Sequence, residues 1–387
     1  MRILYLFHTS SFYQGSSKSM LNTIENLKRK EIVPYVLLPR QKDDSLCEQL
    51  DLRGIPYSFV PLSWPVYPAF STLADRVVFL PKLFKTWFSK IFATLRILWF
   101  VKREKIDIIH TNVGILSEGF WAAQICKLPH VWHLREFQDL DFKLNTFYSL
   151  ASFRKRLRKP NNFPIAISRE IARHFNLGDD SVIYNGILSK NAIRFNPDKE
   201  KYILFVGLLS DGKGVESVIN AFSRLYDQYP DYRLKIVGDT HDNAYKLKLT
   251  DLVESLGMTK HVDFVGHVSD VSAVMYKATL LVVPSRYEAF GRVTVEALYN
   301  GCFVLGRNTG GTKEILQQTG GGMLFNDDDK LFDQLVEVFE KGLPYYYSAI
   351  KEAQQKIGIL YSTEGNADQM FERYRSILKG QINQFID

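Results

Sequence analysis

Two glutamates in the C-terminal half of the chain have a spacing and setting that suit sugar chemistry. Glu288 lies in a loop after an apolar run that ends at Pro284, and Glu296 follows it in an E-x(7)-E spacing. Because Glu296 stands between Val295 and Ala297 in an apolar, helix-like stretch, its carboxylate should be partly buried and needs hydrogen-bond partners. Sugar hydroxyls are suitable partners for carboxylate oxygens. The structural alternative is an ion pair with a neighbouring Arg or Lys.

A glycine-rich loop earlier in the chain could hold a phosphate. An apolar run ends at Gly207, and the loop through Lys213 and Gly214 leads into a predicted helix near Val215. A cation at the start of a helix is disfavoured by the helix dipole unless an anion compensates it. The first backbone N–H groups of a helix are themselves an anion site. We predict a phosphate site at Lys213, with an exposed loop lysine as the alternative.

Two further candidates follow apolar runs in the N-terminal half. Gly15 and Ser16 lie in a small-residue loop before a predicted helix, which suits a phosphate but equally suits a turn with serine capping. His133 ends the apolar run His130–His133. Ligands in open α/β sheets bind beyond the carboxyl ends of strands, so His133 is a candidate active-site residue. A histidine with a purely structural role is the alternative.

Apolar runs alternate with helical stretches along the whole chain, and the pattern restarts after Asn185-Gly186. The predicted strands are Ile3–Phe7, Pro34–Leu38, Tyr57–Val60, Ile106–His110, His130–His133, Ile165–Ile167, Tyr202–Val206, Arg233–Val237, Val262–Val265, Leu280–Val283 and Phe303–Leu305. Continuous apolar strands separated by helices favour parallel sheets covered on both faces. We predict an α/β fold of two Rossmann-like doubly wound domains, residues 1–187 and 188–360, facing across a cleft that would take the ligand.

The net charge of +7 is concentrated in one segment. Residues 76–105 carry eight Lys or Arg and one acid among many Phe, Leu, Ile and Trp residues. The charges interrupt the apolar run, so no transmembrane helix is predicted. Two hypotheses remain open: a basic amphipathic helix on an anionic membrane surface, or a core-facing helix with a solvated basic face. The basic run 154–159 is interpreted as a solvated turn. Nucleic-acid binding is not predicted, because no recognition module accompanies the charge.

Cysteine and aspartate positions exclude some site classes. Cys47, Cys126 and Cys302 are far apart, which argues against a disulfide scaffold or a cysteine zinc site and fits a reducing compartment. The start of the chain lacks the pattern of a signal peptide. We expect a cytoplasmic protein, with membrane contact at the inner face through 76–105. The triplet 327–329 precedes a helical pattern, so helix capping explains it better than a metal. No metal or other cofactor is expected.

The ordered motifs resemble family 4 glycosyltransferases (group 1 glycosyl transferases), which are retaining enzymes of the GT-B architecture. The resemblance spans the chain and is strongest over 200–316. The motifs are Tyr184-Asn185-Gly186, Val206-Gly207 with Lys213-Gly214, Phe264-Val265-Gly266, the Glu288 to Glu296 stretch, and Gly310-Gly311-Thr312-Lys313-Glu314. The resemblance implies transfer of a hexose from a nucleotide-diphosphate sugar to a saccharide or lipid-linked saccharide, in polysaccharide or glycolipid assembly. It also implies that a C-terminal helix, within 361–387, packs back on the first domain.

The resemblance assigns roles to individual residues. It implies catalytic roles for Glu288 on the donor sugar, Lys213 on the diphosphate and His133 near the reacting sugar, and a ribose contact for Glu296. The other implied donor-binding positions are Gly15, Ser16, Gly207, Gly214, Gly266, His267, Ala289, Phe290 and Gly291. Arg135 and Glu136 would line the acceptor side or pair with each other.

Two departures from the family pattern keep alternatives open. Leu208 stands where many relatives have an arginine for the diphosphate, and Gln14-Gly15-Ser16 replaces a pair of glycines. A weakened diphosphate clamp would suit a non-catalytic nucleotide-sugar-binding partner subunit. A sugar-nucleotide 2-epimerase or a phosphorylase-like enzyme of the same fold is the other alternative.

Overall fold

The computed structural model describes residues 1–67, 73–140, 145–240 and 242–384, and the chain divides into two compact units. Unit 1 comprises Met1–Gly186 and Thr363–Asp387, and unit 2 comprises Ile187–Ser362. The predicted domain boundaries lay after residues 187 and 360, and the observed ones lie after residues 186 and 362.

Within the described residues, unit 1 is built on a six-stranded parallel sheet of order β3-β2-β1-β4-β5-β6. Its strands are β1 (Arg2–Leu6), β2 (Val33–Leu38), β3 (Tyr57–Phe59), β4 (Ile108–Thr111), β5 (His130–Leu134) and β6 (Asn162–Ala166). Its first six helices are α1 (Gly15–Lys28), α2 (Ser45–Leu52), α3 (Leu73–Glu104), α4 (Glu118–Cys126), α5 (Leu150–Leu157) and α6 (Arg169–His174). The strand order reverses between β1 and β4, and such a switch point opens a crevice at the carboxyl ends of the strands.

The apolar run of β1 explains why this sheet is covered on both faces. Successive side chains of a strand point to opposite faces. Ile3 and Tyr5 accordingly lie in one buried cluster, whereas Leu4 and Leu6 lie in another on the opposite face. Both clusters need a layer of helices, which is why the chain crosses over the sheet between parallel strands.

In the part of unit 2 that the structure describes, a second six-stranded parallel sheet has the order β12-β11-β10-β7-β8-β9. Its strands are β7 (Glu200–Val206), β8 (Arg233–Val237), β9 (Val262–Gly266), β10 (Ala278–Val283), β11 (Phe303–Arg307) and β12 (Gly322–Phe325). Its helices are α7 (Val215–Tyr226), α8 (Asn243–Ser255), α9 (Ser272–Lys277), α10 (Arg292–Tyr299), α11 (Gly310–Thr319), α12 (Asp328–Lys341) and α13 (Tyr347–Leu360). The switch point lies between β7 and β10. The predicted α/β fold with two Rossmann-like doubly wound sheets is confirmed.

One strand was not predicted, and one local prediction was wrong in part. No strand was predicted at β12, where consecutive glycines at 320–322 are residues typical of turns. Gly322 is nevertheless a strand residue, and a Cβ there would lie 2.0 Å from the carbonyl oxygen of Val304 on the neighbouring strand. Residues 154–157 of the basic run 154–159 belong to α5, and only the last two residues of the run lie in the predicted turn.

The last helix, α14 (Thr363–Gln384), belongs to unit 1, as predicted for the C-terminal segment. Met370 and Tyr374 of α14 are fully buried in the cluster that contains Ile3 and Tyr5. Thr23 of α1 donates a buried hydrogen bond of 2.6 Å to the side chain of Asn366. The helix therefore completes the cover of one face of the unit 1 sheet.

Replacing Met370 by Ala tests this packing. A buried Met side chain cut back to Ala leaves a cavity and lowers the free energy of unfolding by about 2–5 kcal/mol. All five tryptophans of the chain, at 64, 87, 99, 121 and 132, lie in unit 1, so tryptophan fluorescence reports on that unit. We expect the urea midpoint of the fluorescence transition to fall in Met370→Ala and to stay at the wild-type value in Glu372→Ala, an exposed position of the same helix. Equal midpoints for the two variants would contradict the packing.

Candidate active site

Two loops of unit 2 meet at the switch point between β7 and β10. The backbone N–H of Arg286 donates to the carbonyl oxygen of Gly212 at 2.9 Å. Gly214 has φ of +69° and lies so close to the end of β10 that a Cβ would stand 2.8 Å from the carbonyl oxygen of Pro284. A glycine is required there for both reasons. The phosphate-type loop after Gly207 is therefore held directly against the loop that carries Glu288.

This contact brings Lys213 and Glu288 together. The Lys213 ammonium lies 2.8 Å from a carboxylate oxygen of Glu288, and the two side chains are 31% and 20% exposed. The ion pair that the sequence left as an alternative for the glutamates is present. Both groups are partly open to solvent, so each can exchange its partner for a ligand group at modest cost.

A pair of glycines at the start of α11 fixes the backbone of the Glu288 loop. Gly311 donates its N–H to the carbonyl oxygen of Glu288 at 2.7 Å. A Cβ would lie 2.3 Å from that oxygen if placed on Gly310, and 2.0 Å from the carbonyl oxygen of Phe290 if placed on Gly311. Residues other than glycine would push the loop away. The motif Gly310-Gly311 thus positions Glu288 without touching its side chain.

Glu296 lies on α10 and is partly buried, as predicted, with 15% of its side chain exposed. Arg292, one turn earlier, lies 2.8 Å from its carboxylate and was not identified by the sequence analysis as its partner. The i,i+4 spacing was the available signal. Gly291 precedes α10 with φ of +90°, and Phe290 packs its buried ring on Tyr361.

Cations stand at the starts of the helices that follow the adjacent strands β7 and β10. Arg292 is the first residue of α10, and Lys213 lies two residues before α7. Both helices begin after a glycine, Gly291 or Gly214, which has no side-chain oxygen to cap the first-turn N–H groups. Each carboxylate of the two ion pairs compensates a cation that the helix dipole disfavours.

Glycines also line the strand ends beside this corner. Gly207 donates its N–H to the carbonyl oxygen of Val237, and a Cβ on Gly238 would lie 1.8 Å from the carbonyl oxygen of Gly207. Gly266, with φ of +77°, ends β9 and has open space where a Cβ would be, and His267 beyond it is exposed. The sequence analysis missed Gly238, although a glycine directly after an apolar run was the signal. Leu208 is exposed in the loop above.

In unit 1, Gly15 and Ser16 form the first turn of α1 at the switch between β1 and β4. Asn112, after β4, donates to the carbonyl oxygen of Ser16 at 3.3 Å. The hydroxyl of Ser17 is buried without a hydrogen-bond partner among the described residues, and so is Nδ1 of His8. Serine capping was the alternative for this loop, but the N-cap residue Gln14 makes no side-chain cap.

His133 ends a buried chain of hydrogen bonds. Its Nδ1 lies 3.2 Å from Nε2 of His110, whose Nδ1 lies 2.6 Å from the hydroxyl of Tyr374. Arg135 donates to the same Nδ1 of His133 at 3.4 Å. Because a guanidinium only donates, Nδ1 of His133 accepts and its hydrogen resides on Nε2. Burial, and then the charge of Arg135, lower the pKa of His133 well below its ordinary value, so the ring is neutral.

In this tautomer, the Nε2–H group of His133 is a hydrogen-bond donor near the carboxyl end of β5. Nε2 of His133 is buried and has no hydrogen-bond partner among the described residues. Arg135 is buried and also donates to Asn112 at 2.9 Å and to Asn185 at 2.5 Å, so it orders the strand ends around the histidine. Glu136 accepts a hydrogen bond of 3.0 Å from the backbone of Gly114.

The aspartate triplet 327–329 lies at the start of helix α12. The carboxylate of Asp327 accepts the backbone N–H of Lys330 at 2.8 Å, which confirms the predicted cap. Asp328 pairs with Arg307 on the neighbouring strand β11. The described residues contain no group of three or more His, Cys, Asp or Glu that could hold a metal ion.

Unit 2 is similar in sequence to a known protein family. Residues 189–357 match the model of the family described as glycosyl transferases group 1. The matched residues make up nearly the whole of unit 2. This chain is 35% identical over 248 residues to an uncharacterized glycosyltransferase of Methanocaldococcus jannaschii, a match that covers 57% of this chain and 62% of that protein. It is 23% identical over 308 residues to the N-acetyl-alpha-D-glucosaminyl L-malate synthase of Bacillus anthracis, covering 73% and 78% of the two chains.

Solved structures extend the similarity to the whole fold. Anabaena Alr3699/HepE in complex with UDP superposes with a TM-score of 0.77 at 20% identity, over 97% of this chain and 100% of that one. The complex of the same protein with UDP-glucose gives 0.75 at 19% identity over the same shares. The fold class of this chain is that of the GT-B glycosyltransferases.

Four buried histidines make the stability of unit 1 depend on pH. They are His8, His110, His130 and His133. Burial lowers the pKa of His8 and of His130 to about 4, and it lowers the pKa of the other two well below 6.5. The unfolded chain therefore binds more protons than the folded one below pH 6.5. Stability is complete above that pH and falls as the pH drops towards 4, by about 1.4 kcal/mol per pH unit for each histidine.

Urea unfolding followed by tryptophan fluorescence at pH 7.5, 6.0 and 5.0 measures this slope. We expect His130→Gln to reduce the loss of stability between pH 6.5 and 5, because one titrating group is removed. His267→Gln, at an exposed histidine of unit 2, should keep the wild-type slope. A wild-type free energy of unfolding that does not change from pH 7.5 to 5.0 would show that these rings are not buried as neutral groups.

Proposed function

We propose that this protein is a retaining glycosyltransferase that moves a hexose from a nucleotide-diphosphate sugar to an acceptor hydroxyl. The observation that carries the proposal is the Lys213–Glu288 pair, held at the switch point of unit 2 beside the starts of α7 and α10. The group 1 domain and the relatives named as glycosyltransferases support it. The structural neighbour that binds UDP and UDP-glucose supports a nucleotide-sugar donor.

The diphosphate of the donor takes the place of Glu288 at Lys213. The loop from Leu208 to Gly214 contains a single basic residue, so Lys213 is the cation that this loop supplies. The first-turn N–H groups of α7 and α10 add further donors. When the bond between the anomeric carbon and the β-phosphate oxygen breaks, the electron pair stays on that oxygen. Donors already in place around it stabilise the leaving nucleotide diphosphate.

The two glutamates then accept hydrogen bonds from the rest of the donor. Once Lys213 turns to the diphosphate, Glu288 is free to accept hydroxyl hydrogens of the hexose. Glu296 accepts those of the ribose, while the open face of Gly266, beside His267, receives the base. Ala289, Phe290 and Gly291 contribute backbone N–H groups. No metal ion or other cofactor has a part in this proposal.

In unit 1, the residues at the strand ends bind substrate oxygens. His133 donates the hydrogen on Nε2 to a substrate oxygen, as a neutral ring whose tautomer is set by Arg135 and His110. The N–H groups of Gly15 and Ser16 at the start of α1 suit a phosphate oxygen. Glu136 is the proposed acceptor-side residue. The acceptor is a saccharide or a lipid-linked saccharide of a cell-surface polysaccharide or glycolipid. Its hydroxyl attacks the anomeric carbon on the face that the diphosphate leaves, and the hydroxyl proton passes to the departing β-phosphate oxygen.

Nucleotide release from a panel of UDP- and GDP-sugars tests the proposal. Glu288→Ala should lower turnover by about 100-fold or more while the nucleoside diphosphate still binds, because its contact is to the sugar. Lys213→Ala should weaken binding of the nucleoside diphosphate itself, measured by calorimetry. Glu340→Ala, an exposed position on α12, is the matched control and should retain wild-type turnover and binding.

Three outcomes would contradict the assignment. Equal turnover in wild type and Glu288→Ala would remove Glu288 from the reaction. Binding without any turnover in the wild type would favour a partner subunit. Products formed from the sugar nucleotide without any acceptor would favour an epimerase.

A further inference from the structure

Helix α3 (Leu73–Glu104) has one face inside unit 1. Ala93, Ile97, Phe100 and Val101 are buried in the cluster that also contains Leu4 of β1. Lys90 points the same way and donates to the hydroxyl of Ser117 at 2.7 Å, with the buried carboxylate of Glu118 at 3.9 Å. These contacts hold α3 against the unit over residues 90–101.

The opposite face of α3 is apolar and uncovered. Its members, which we call the apolar face of α3, are 41–74% exposed and comprise Val77, Val78, Leu80, Phe84, Trp87, Phe88, Ile91, Phe92, Leu95 and Trp99. Positions 84, 88, 95 and 99 fall on a single line along the helix, because steps of four and seven residues return close to the same side. A contiguous apolar surface of this kind marks a binding surface.

Positive charge runs beside this face. Residues 77–103 contain six Lys or Arg and no Asp or Glu. Lys90 is one of the six and lies inside the unit, whereas four others, at 85, 96, 102 and 103, are exposed. Lys85 and Arg96 are exposed, and they follow Phe84 and Leu95 by one residue, so they form a parallel line at one edge. Arg103 lies over the ring of Trp99 at 4.3 Å and also pairs with Glu104. The basic groups therefore border the apolar rings on the same side of the unit.

Two further helices, α4 and α5, add exposed apolar side chains and cations beside α3. α4 packs against α3 and exposes Trp121 and Ile125. Arg156 of α5 lies 5.8 Å from the ring of Trp121, in the basic run that continues through the exposed Lys159. Apolar rings and cations thus continue from α3 across two more helices.

We propose that the apolar face of α3 is the surface by which the protein lies on an anionic membrane. Its rings would enter the boundary between headgroups and acyl chains, and its Lys and Arg side chains would reach the lipid phosphates. Tryptophan rings favour that boundary. Because the inner face of α3 is packed in unit 1, the helix lies in the membrane plane. The described helices include none that is long and apolar enough to cross a membrane.

Charge decides between a membrane and a second copy of the chain. An antiparallel two-fold contact through the apolar face would bring the Lys85 and Arg96 edges of both copies to the same side, with no acidic side chain in 77–103 to compensate them. Like charges at a contact are costly, whereas an anionic lipid surface attracts every one of them. The proposal needs no sugar transfer and stands apart from the proposed reaction.

Vesicle binding without any sugar nucleotide tests this proposal. Sedimentation with vesicles of phosphatidylcholine and phosphatidylglycerol should capture the wild type, and pure phosphatidylcholine should capture far less. Trp87 and Trp99 should shift the emission to shorter wavelength on binding. Lys85→Glu/Arg96→Glu should weaken partitioning by about 30-fold or more, since the loss of each basic residue near the surface costs about fivefold and each new carboxylate adds repulsion. Phe84→Ser/Phe88→Ser should abolish the wavelength shift.

Controls separate this surface from charge in general. Lys42→Glu/Lys260→Glu makes the same change of net charge at exposed positions away from α3, and it should bind much more tightly than the α3 charge variant. The urea midpoint shows whether each variant is folded. Equal binding of the two charge variants would overturn the proposal, as would failure of the wild type to bind anionic vesicles. Dimers in solution that Phe84→Ser/Phe88→Ser dissolves would assign the face to a second copy instead.

Discussion

The candidate site of unit 2 depends on backbone segments that approach each other more closely than any side chain would allow. Gly310 and Gly311 lie against the backbone of residues 288–290, and Gly214 lies against Pro284. A Cβ at any of these glycines would overlap a carbonyl oxygen. The loops are therefore positioned by backbone contacts alone, and the side chains of Lys213 and Glu288 keep their charged groups available for a partner.

Electrostatics explains why acids and cations occur together at this corner. A cation at a helix start opposes the helix dipole, yet Arg292 and Lys213 stand at two such starts. Glu296 and Glu288 compensate them in the structure described. An anionic ligand can replace a carboxylate at Lys213, and the released carboxylate then becomes an acceptor for hydroxyl groups. In the proposed function, this one exchange would prepare both the phosphate site and the sugar site.

Local sequence patterns predicted strands and side-chain burial, but they did not predict contacts between segments that are distant in the sequence. Apolar runs located β7, β8 and β10, and the partial burial of Glu296 followed from its apolar neighbours. β12 was not predicted because a glycine such as Gly322 is locally typical of a turn. A glycine is needed there because a Cβ would overlap the carbonyl oxygen of Val304 on the neighbouring strand. The surroundings of His133 could not be predicted either. They depend on His110, which is hydrogen-bonded to Tyr374 of the last helix. A hydrogen-bonded chain between residues so far apart in sequence leaves no periodic signal.

The unit 1 sheet separates the two surfaces that the proposals use. α14 covers the face with Ile3 and Tyr5, and through Tyr374 it supports His110 and His133. α3 covers the opposite face, with Leu4 and Leu6, and its own outer side is the apolar face. The alternation of side chains along β1 decides this division, because neighbouring residues must point to opposite sides. A membrane bound at α3 would therefore cover a helical layer of the sheet and would not cover His133 of β5 or Ser17 in the first turn of α1.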